Sequence, residues 1–206
     1  MTRILLTCFG PFPGAPANPS ERVARRIARS RRLGIAGITA DVQRFETVWT
    51  AVSEAPGAIA RWKPDAVVMF GLAGRRRHIS IEQRGTRHWS ALASDAAGKR
   101  LATRLQPDGF SRRTRFNAAS IAALLRRNGA NCKVSRSAGT YLCNACYYSA
   151  LGCDIPVVFI HIPGPMPGGR PRWRTKRRRM PQQLIETSCL AAVLETARQF
   201  NRSVPN

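Results

Sequence analysis

The chain has 206 residues, of which 44% are hydrophobic, so it can form a sizeable core. Its 34 Lys and Arg residues stand against 11 Asp and Glu, which gives a formal net charge of +23. This composition excludes wholesale disorder, and no apolar run approaches the roughly 20 residues that a membrane-spanning helix needs. The short apolar run Ile4 to Leu6 leads at once into Gly and Pro residues, which is typical of a first core strand and not of a signal peptide.

Strand-like and helix-like segments alternate along the chain. A first strand is predicted from Arg3 to Phe9, and the helix after it has a well-marked start. Asn18 is the expected cap, Pro19 takes the first helical position and Glu21 reaches back as in a capping box. Further strands are predicted at 38–45, 66–70, 79–82, 133–136 and 157–162, and further helices at 48–62, 116–127, 145–151 and 182–200. This order predicts one α/β domain over residues 1–206, with helices packed on a largely parallel sheet.

The stretch from Ser137 to Asn144 carries the most information about function. It joins a predicted strand to a predicted helix, which places Cys143 in the first turn of that helix. Unpaired N–H groups and the positive end of the helix dipole favour an anion there. We therefore expect a thiol that tends towards the nucleophilic thiolate, beside N–H groups that can hold an oxyanion. Position alone leaves the alternative open, a buried Cys that packs as a small apolar residue.

Two further side chains with acid–base chemistry come at the ends of predicted strands. His161 closes the apolar run from Val157 and is a candidate base for a Cys nucleophile, although a structural His with a hydrogen-bond partner gives the same pattern. Ligand sites in such folds lie at the carboxyl ends of the strands. Glu82 ends another strand, where it could orient an imidazole or simply neutralise the arginines at 75–77.

The other cysteines and histidines give weaker signals. The six Cys residues have no disulfide-framework spacing, which favours reduced thiols in the cytoplasm. Cys143 and Cys146 form a Cys-x-x-Cys pair, so a redox dithiol is a minor hypothesis. His78 and His88 are flanked by arginines and are expected at the surface. No cluster of residues has metal-ligand spacing, and we expect neither a metal nor a cofactor.

The basic residues suggest a second, unrelated function class. The run Arg170–Arg179 is rich in Arg around Trp173, within a predicted loop at about 164–180. Such a run could grip phosphates while Trp173 stacks on bases. An exposed loop in an Arg-rich protein is the favoured interpretation, since blocks of like charge repel one another and stay solvated. Nucleic-acid binding is therefore expected to be non-specific if it occurs at all.

Four blocks of the chain resemble, in the same order, the pyroglutamyl-peptidase I family, also called pyrrolidone-carboxylate peptidases. They are Phe9–Phe12 with Asn18–Glu21, Gly71–Arg76 with Ile79–Glu82, Ser137–Asn144, and Phe159–Pro163; the short Asp95–Gly98 segment is also similar. The resemblance implies a three-layer α/β/α sandwich with a mixed, largely parallel sheet of the phosphorylase/hydrolase-like type. It also implies a cytoplasmic cysteine exopeptidase that removes N-terminal pyroglutamyl residues from peptides. The family needs no metal and often forms homodimers or homotetramers.

The resemblance also assigns roles to residues. Cys143 would be the nucleophile, His161 the base and then the acid, and Glu82 the residue that orients His161. The reaction would pass through a thioester, and Arg76 together with the Cys143 N–H would lie near the oxyanion. The remaining assignments concern the substrate, for which the binding residues would be Phe9, Phe12, Leu72 and Asn18, beside Arg76.

The chain also departs from the family pattern. Gln83 to Arg87 follows Glu82 where the family usually has a basic residue, two apolar positions and an Asn, so Arg84 stands in an apolar position. Burying an unpaired Arg is costly, which predicts an exposed or shifted strand. Three hypotheses follow: an active pyroglutamyl peptidase, a weakened or repurposed homologue, and a basic polyanion-binding protein.

Overall fold

The computed structural model describes residues 1–12, 15–90, 92–100, 110–164 and 180–203. The strands are β1 Thr2–Phe9, β2 Ile38–Phe45, β3 Ala66–Ala73, β4 Ile79–Glu82, β5 Arg84–Thr86, β6 Ser111–Arg113, β7 Cys132–Ser135 and β8 Val157–Pro163. The helices are α1 Pro19–Ala28, α2 Arg31–Ile35, α3 Ala51–Trp62, α4 Ala118–Arg127, α5 Leu142–Ala150 and α6 Gln182–Ser203. The predicted Arg-rich run at 170–179 lies outside the described residues.

All the strands and helices predicted from the sequence are present, with ends that differ by three residues at most. The sequence missed two short elements, α2 and β6, which have 5 and 3 residues; β5, with 3 residues, is the strand expected after Glu82. Segments this short do not complete a hydrophobic repeat, so their pattern cannot reveal them.

The main sheet has six strands in the order β2-β1-β3-β8-β4-β7. β1, β2, β3 and β8 are parallel, whereas β4 pairs antiparallel with β8 and parallel with β7. The sheet is therefore mixed and largely parallel, as expected. Because β4 is antiparallel to β8, its last residue, Glu82, lies beside Phe159 in the middle of β8 and not at the carboxyl end of that strand.

Two hydrophobic layers cover the sheet. One contains the inward faces of α1, α4 and α6, and the other contains those of α3 and α5. Successive strand residues alternate between these layers because strand side chains point to opposite faces. The result is the three-layer α/β/α sandwich that the resemblance implies. None of the described helices is long and apolar enough to cross a membrane.

The start of α1 confirms two of three predicted details. The Asn18 side chain accepts a hydrogen bond from Ser20 N at 3.1 Å, and Pro19 opens the helix. The capping box is wrong, because the Glu21 carboxylate contacts Arg25 at 2.9 Å and Arg44 at 3.1 Å. In this Arg-rich chain, the Glu21 carboxylate binds guanidinium groups and not a backbone N–H, because hydrogen bonds between charged groups are stronger.

The segment after Glu82 forms a two-stranded ribbon outside the main sheet. β5 pairs antiparallel with β6, and Arg84 is exposed, with its Nε donating to Arg136 O at 2.8 Å. Gly85 lies against α5, where a β-carbon would come within 2.8 Å of Tyr148 N. The strand is thus shifted out of the main sheet with Arg84 exposed, so the Arg84 charge does not have to be buried, although Gly85 is buried.

Candidate active site

Strand alternation and strand pairing gather four residues under α5. His161 and Phe159 are two positions apart in β8 and therefore share the face that α3 and α5 cover. Gly71 lies opposite His161 in the parallel β3–β8 register. Glu82 lies on the antiparallel neighbour β4, opposite Phe159 and diagonal to His161.

The Glu82 carboxylate is the centre of a buried hydrogen-bonded group. Its Oε1 lies 2.8 Å from His161 Nδ1 and accepts a hydrogen bond from Arg76 Nη1 at 2.5 Å. The hydroxyl of Tyr147 donates to the Glu82 carbonyl oxygen at 2.9 Å, which fixes the end of β4 against α5. Both interpretations of Glu82 are thus combined, since it contacts the imidazole and also neutralises an arginine.

The contact with Glu82 selects the reactive nitrogen of His161. When Nδ1–H donates to the carboxylate, Nε2 keeps its lone pair and can accept a proton. His161 is only 4% exposed, and burial lowers its pKa from 6.5; Glu82 opposes this shift and the Arg76 charge adds to it. The imidazole is therefore neutral at pH 7, which is the form that a general base requires.

Cys143 occupies the predicted position in the first turn of α5. The helix starts after Tyr141, whose side chain makes no capping hydrogen bond. The first N–H groups of a helix have no intrahelical acceptor, so those of Leu142 and Cys143 are suited to bind an oxyanion. A β-carbon on Gly71 would lie 3.0 Å from Cys143 Sγ, so the thiol lies over the residue that pairs with His161.

The protonation state of Cys143 differs from the expectation. Burial and, to a smaller extent, the Glu82 charge raise the pKa of this thiol from 9.0 to about 12, and the backbone N–H and Arg76 oppose the shift only in part. The expected tendency towards a resting thiolate is wrong, because loss of hydration outweighs the helix end. Both shifts favour a neutral thiol beside a neutral imidazole, from which proton transfer to His161 generates the nucleophile during attack.

Gly71 belongs to a block that resembles the family, but the sequence did not indicate that it lies in the site. A β-carbon there would lie 2.6 Å and 2.8 Å from Phe159 ring atoms and 3.0 Å from Cys143 Sγ.

We expect Gly71→Ala to destabilise the fold by about 1–3 kcal/mol. Displacing the thiol should also lower kcat, by about 10²-fold for a shift near 1 Å. Denaturant unfolding and steady-state kinetics on the same preparation measure both effects.

Gly74 provides the matched control for this substitution. It follows β3, and a β-carbon on it would meet nothing within 4 Å. Gly74→Ala should therefore change stability by less than about 0.5 kcal/mol and leave kcat unchanged. Equal kcat in the wild type and in Gly71→Ala would show that the thiol does not depend on the space above Gly71.

The structure assigns different surroundings to the predicted substrate-binding residues. Phe9 is buried, and its ring lies 6.1 Å from that of Phe45 and 6.4 Å from that of Phe159. Phe12 and Leu72 are half-buried at the carboxyl edge of the sheet. Asn18 uses its amide within the protein, since Nδ2 donates to Gly10 O at 3.0 Å while Oδ1 caps α1. Its contacts hold the turn after β1, and substrate binding by these residues stays a prediction.

A second set of contacts, which the sequence did not reveal, holds the loops around Cys143. Asn144 is fully buried, and its amide accepts from Thr86 N at 2.9 Å and donates to Thr86 O at 2.8 Å. The sequence signal that could have indicated these contacts is a polar residue, Asn144, directly after the nucleophile. Asp95, in the segment that resembles the family, accepts from Trp49 N at 3.1 Å, and the Trp49 ring packs edge-on against Tyr141.

The remaining thiols and histidines do not form a second reactive group. All six cysteines are free, and burial raises the pKa of Cys146 well above its usual value, which disfavours a redox dithiol. His78 and His88 are half-buried, not fully at the surface as expected. Within the described ranges, no group of three or more His, Cys, Asp or Glu side chains could hold a metal ion.

A cavity of about 550 Å³ lies at the opposite edge of the sheet, away from these groups. It is lined by residues that precede β3, α4 and β8, among them Asp65, Phe116 and Ile155, and by the end of α6. None of the reactive side chains described above contributes to it.

Comparisons with known proteins identify one family and one fold. The sequence model of a family described as pyroglutamyl peptidase matches residues 2–167. The chain is 36% identical over 169 residues to a pyrrolidone-carboxylate peptidase of Gloeobacter violaceus, which covers 78% of this chain and 81% of that protein. It is 33% identical over 170 residues to the pyrrolidone-carboxylate peptidase of Streptomyces coelicolor, and the match covers 80% of this chain and 76% of that protein. The pyrrolidone carboxyl peptidase structure from Thermococcus litoralis has the same fold, with a TM-score of 0.84, 23% identity and 100% coverage of both chains.

Proposed function

The chain belongs to the pyroglutamyl peptidase family, and we propose that it hydrolyses N-terminal pyroglutamyl residues from peptides with Cys143 as the nucleophile. The 2.8 Å contact between Glu82 and His161, beneath the first turn of α5, carries this proposal. It leaves Nε2 of a neutral imidazole as the proton acceptor on the face of the sheet where the thiol lies.

Acylation begins when Sγ attacks the carbonyl carbon of the peptide bond that follows the pyroglutamyl residue, and not the carbonyl of its ring. His161 Nε2 takes the thiol proton as the carbon–sulfur bond forms, and the N–H groups of Leu142 and Cys143 stabilise the negative oxygen. Collapse of this intermediate breaks the peptide bond, and His161 gives its proton to the leaving amine. The products are a free peptide amine and a pyroglutamyl thioester on Cys143.

Deacylation repeats these steps with water. His161 removes a proton from the attacking water, a second oxyanion forms at the same N–H groups, and the carbon–sulfur bond breaks. The proton returns to Sγ, so pyroglutamate leaves and the neutral thiol and imidazole are restored. In both halves Glu82 holds the imidazole and balances the positive charge that it gains transiently.

The chemistry of the substrate suits this site. Pyroglutamate has no charged α-amine, so an apolar pocket with a few backbone hydrogen bonds can select it. Phe12 and Leu72 are half-buried at the carboxyl edge of the sheet, and Phe9 is buried in the core beside Phe45 and Phe159. A free amino terminus would lose hydration there without gaining a partner.

The position of the β5 and β6 ribbon, outside the main sheet, favours an active enzyme over a weakened homologue. The drift in sequence after Glu82 falls on this ribbon, and the contacts among Glu82, His161 and Arg76 are intact. A polyanion-binding role rests on the Arg-rich run, which lies outside the described residues.

Substrate selectivity tests the proposal directly. We expect release of the arylamine from a pyroglutamyl arylamide, with kcat/KM at least about 100-fold above that for the glutamyl and prolyl arylamides. The glutamyl compound has a charged α-amine, and the prolyl compound has a ring of the same size with a charged nitrogen. A well-folded wild type that cleaves none of the three, or that prefers the prolyl compound, would disprove the function.

Three features implied by the resemblance stay predictions. They are a homodimer or homotetramer, a cytoplasmic location, and peptides with an N-terminal pyroglutamate as the physiological substrates. Light scattering during size-exclusion chromatography measures the first of them.

A further inference from the structure

Arg76 is the inward-facing member of three consecutive arginines. Arg75 and Arg77 are exposed, whereas the Arg76 side chain is only 27% exposed and turns towards the site. Its own backbone N–H closes the turn after β3 on Ala73 O at 2.8 Å. The turn therefore aims one guanidinium group at the space between β4 and the loop that precedes α5.

The two ends of this guanidinium join separate parts of the active site. Nη1 donates to Glu82 Oε1 at 2.5 Å, and Nη2 donates to the carbonyl oxygen of Ser137 at 2.9 Å. Glu82 belongs to the acid–base pair, whereas Ser137 opens the loop that ends at Cys143. A planar group with donors in a fixed fork holds these two acceptors at a set separation.

The charge of Arg76 is needed because Glu82 is completely buried. The Glu82 side chain is 0% exposed, and its second oxygen, Oε2, is buried without a hydrogen-bond partner. An isolated carboxylate in such surroundings is strongly destabilised. Within the described part of the chain, Arg76 is the one Lys or Arg in contact with Glu82, since the other partner is the neutral imidazole of His161.

We propose that Arg76 is a positioning residue, which balances the charge of the buried Glu82 carboxylate, fixes it against His161 and ties both to the nucleophile loop through Ser137. This role needs no contact with the oxyanion, because the two N–H groups that it uses bind Glu82 and Ser137. The inference rests on the proposed catalytic pair of Cys143 and His161. In this role Arg76 is a clamp that joins β4 to the loop before α5.

Alkylation of Cys143 separates positioning from oxyanion binding. Iodoacetamide is neutral and forms no oxyanion, so its reaction with Cys143 at pH 7 reports only thiol activation by His161. We expect Arg76→Met to slow this reaction about tenfold or more, and to lower kcat about 10²-fold with KM changed by less than about threefold. Peptide mass spectrometry assigns the alkylation to Cys143 and not to the other thiols.

A conservative variant guards against simple misfolding. Arg76→Lys keeps a positive charge beside Glu82 but cannot reach Ser137 O at the same time, so it should recover part of the alkylation rate and of kcat. Arg75→Met, which removes an exposed neighbour, should leave both rates unchanged. Thermal unfolding of each variant shows whether it is folded when it is measured.

A double-mutant cycle with Glu82→Gln tests whether Arg76 acts through Glu82. If it does, Arg76→Met should cost less than about threefold in the Glu82→Gln background, because the partner is already neutral. An equal loss in both backgrounds, or a fall in kcat with an unchanged alkylation rate, would overturn the inference. The alkylation arm needs no substrate, so its outcome is independent of whether pyroglutamyl peptides are cleaved.

Discussion

Replacing Cys143 with Ala is expected to abolish hydrolysis of a pyroglutamyl arylamide while the fold is retained. The variant loses the atom that forms the thioester, and no other thiol lies over Gly71 beside His161. Loss of a nucleophile that acts as a unit with its base typically costs at least about 10³-fold in kcat. Stopped assays with a high enzyme concentration, together with circular dichroism of the variant, measure the two quantities.

Cys146→Ala is the matched control for this experiment. Both residues are on α5, but Cys146 is fully buried and packs among apolar side chains of the α3 and α5 layer. We expect this variant to keep its activity with a modest loss of stability. Full activity in Cys143→Ala would refute the proposed nucleophile, and loss of activity in Cys146→Ala alone would favour the dithiol hypothesis.

Replacing His161 with Gln is expected to give the second large effect. Gln can still donate to Glu82 but cannot accept the thiol proton, and general base catalysis contributes typically 10²- to 10⁴-fold. Because burial lowers the pKa of His161 from 6.5, the wild-type kcat/KM should stay constant down to pH 6.5 and fall only below it, as the imidazole becomes protonated. The variant should lose about 10²-fold or more of its rate and also lose this acid limb.

His78→Gln is the control for the pH profile. Burial also lowers the pKa of His78 from 6.5, but this residue precedes β4 and lies outside the proposed reaction. Its replacement should leave both the rate and the acid limb as in the wild type. An acid limb that persists in His161→Gln would assign the titration to another group and contradict the role of His161.

The fold was largely accessible from the sequence because its signals are local. An apolar run such as Ala66–Phe70 indicates a central strand buried on both faces, and the Asn18–Pro19 pair marks a helix start. The direction of β4 was not accessible. The chain reverses between β3 and β4 in a turn of five residues, and no local pattern states with which edge of the sheet the next strand will pair.

The reactive groups were partly accessible for the same reason. Cys143 and His161 come at element boundaries where sequence patterns are informative, and the resemblance connected them with Glu82. The protonation state of Cys143 was not accessible, because burial depends on how α5 packs on the sheet. The two acceptors of Arg76 could not be predicted either, since Ser137 is 61 residues away along the chain.

By itself, the sequence determined the order of the elements, the family and the three groups expected to react, since these follow from residue type and local spacing. Only the tertiary structure decided that Glu82 meets His161 from an antiparallel strand, that Gly71 leaves room for the thiol, and that Arg76 binds both Glu82 and Ser137. The physical reason is that distances and burial arise from packing between segments remote in the chain. They set the charge of each group, and no local stretch of residues encodes them.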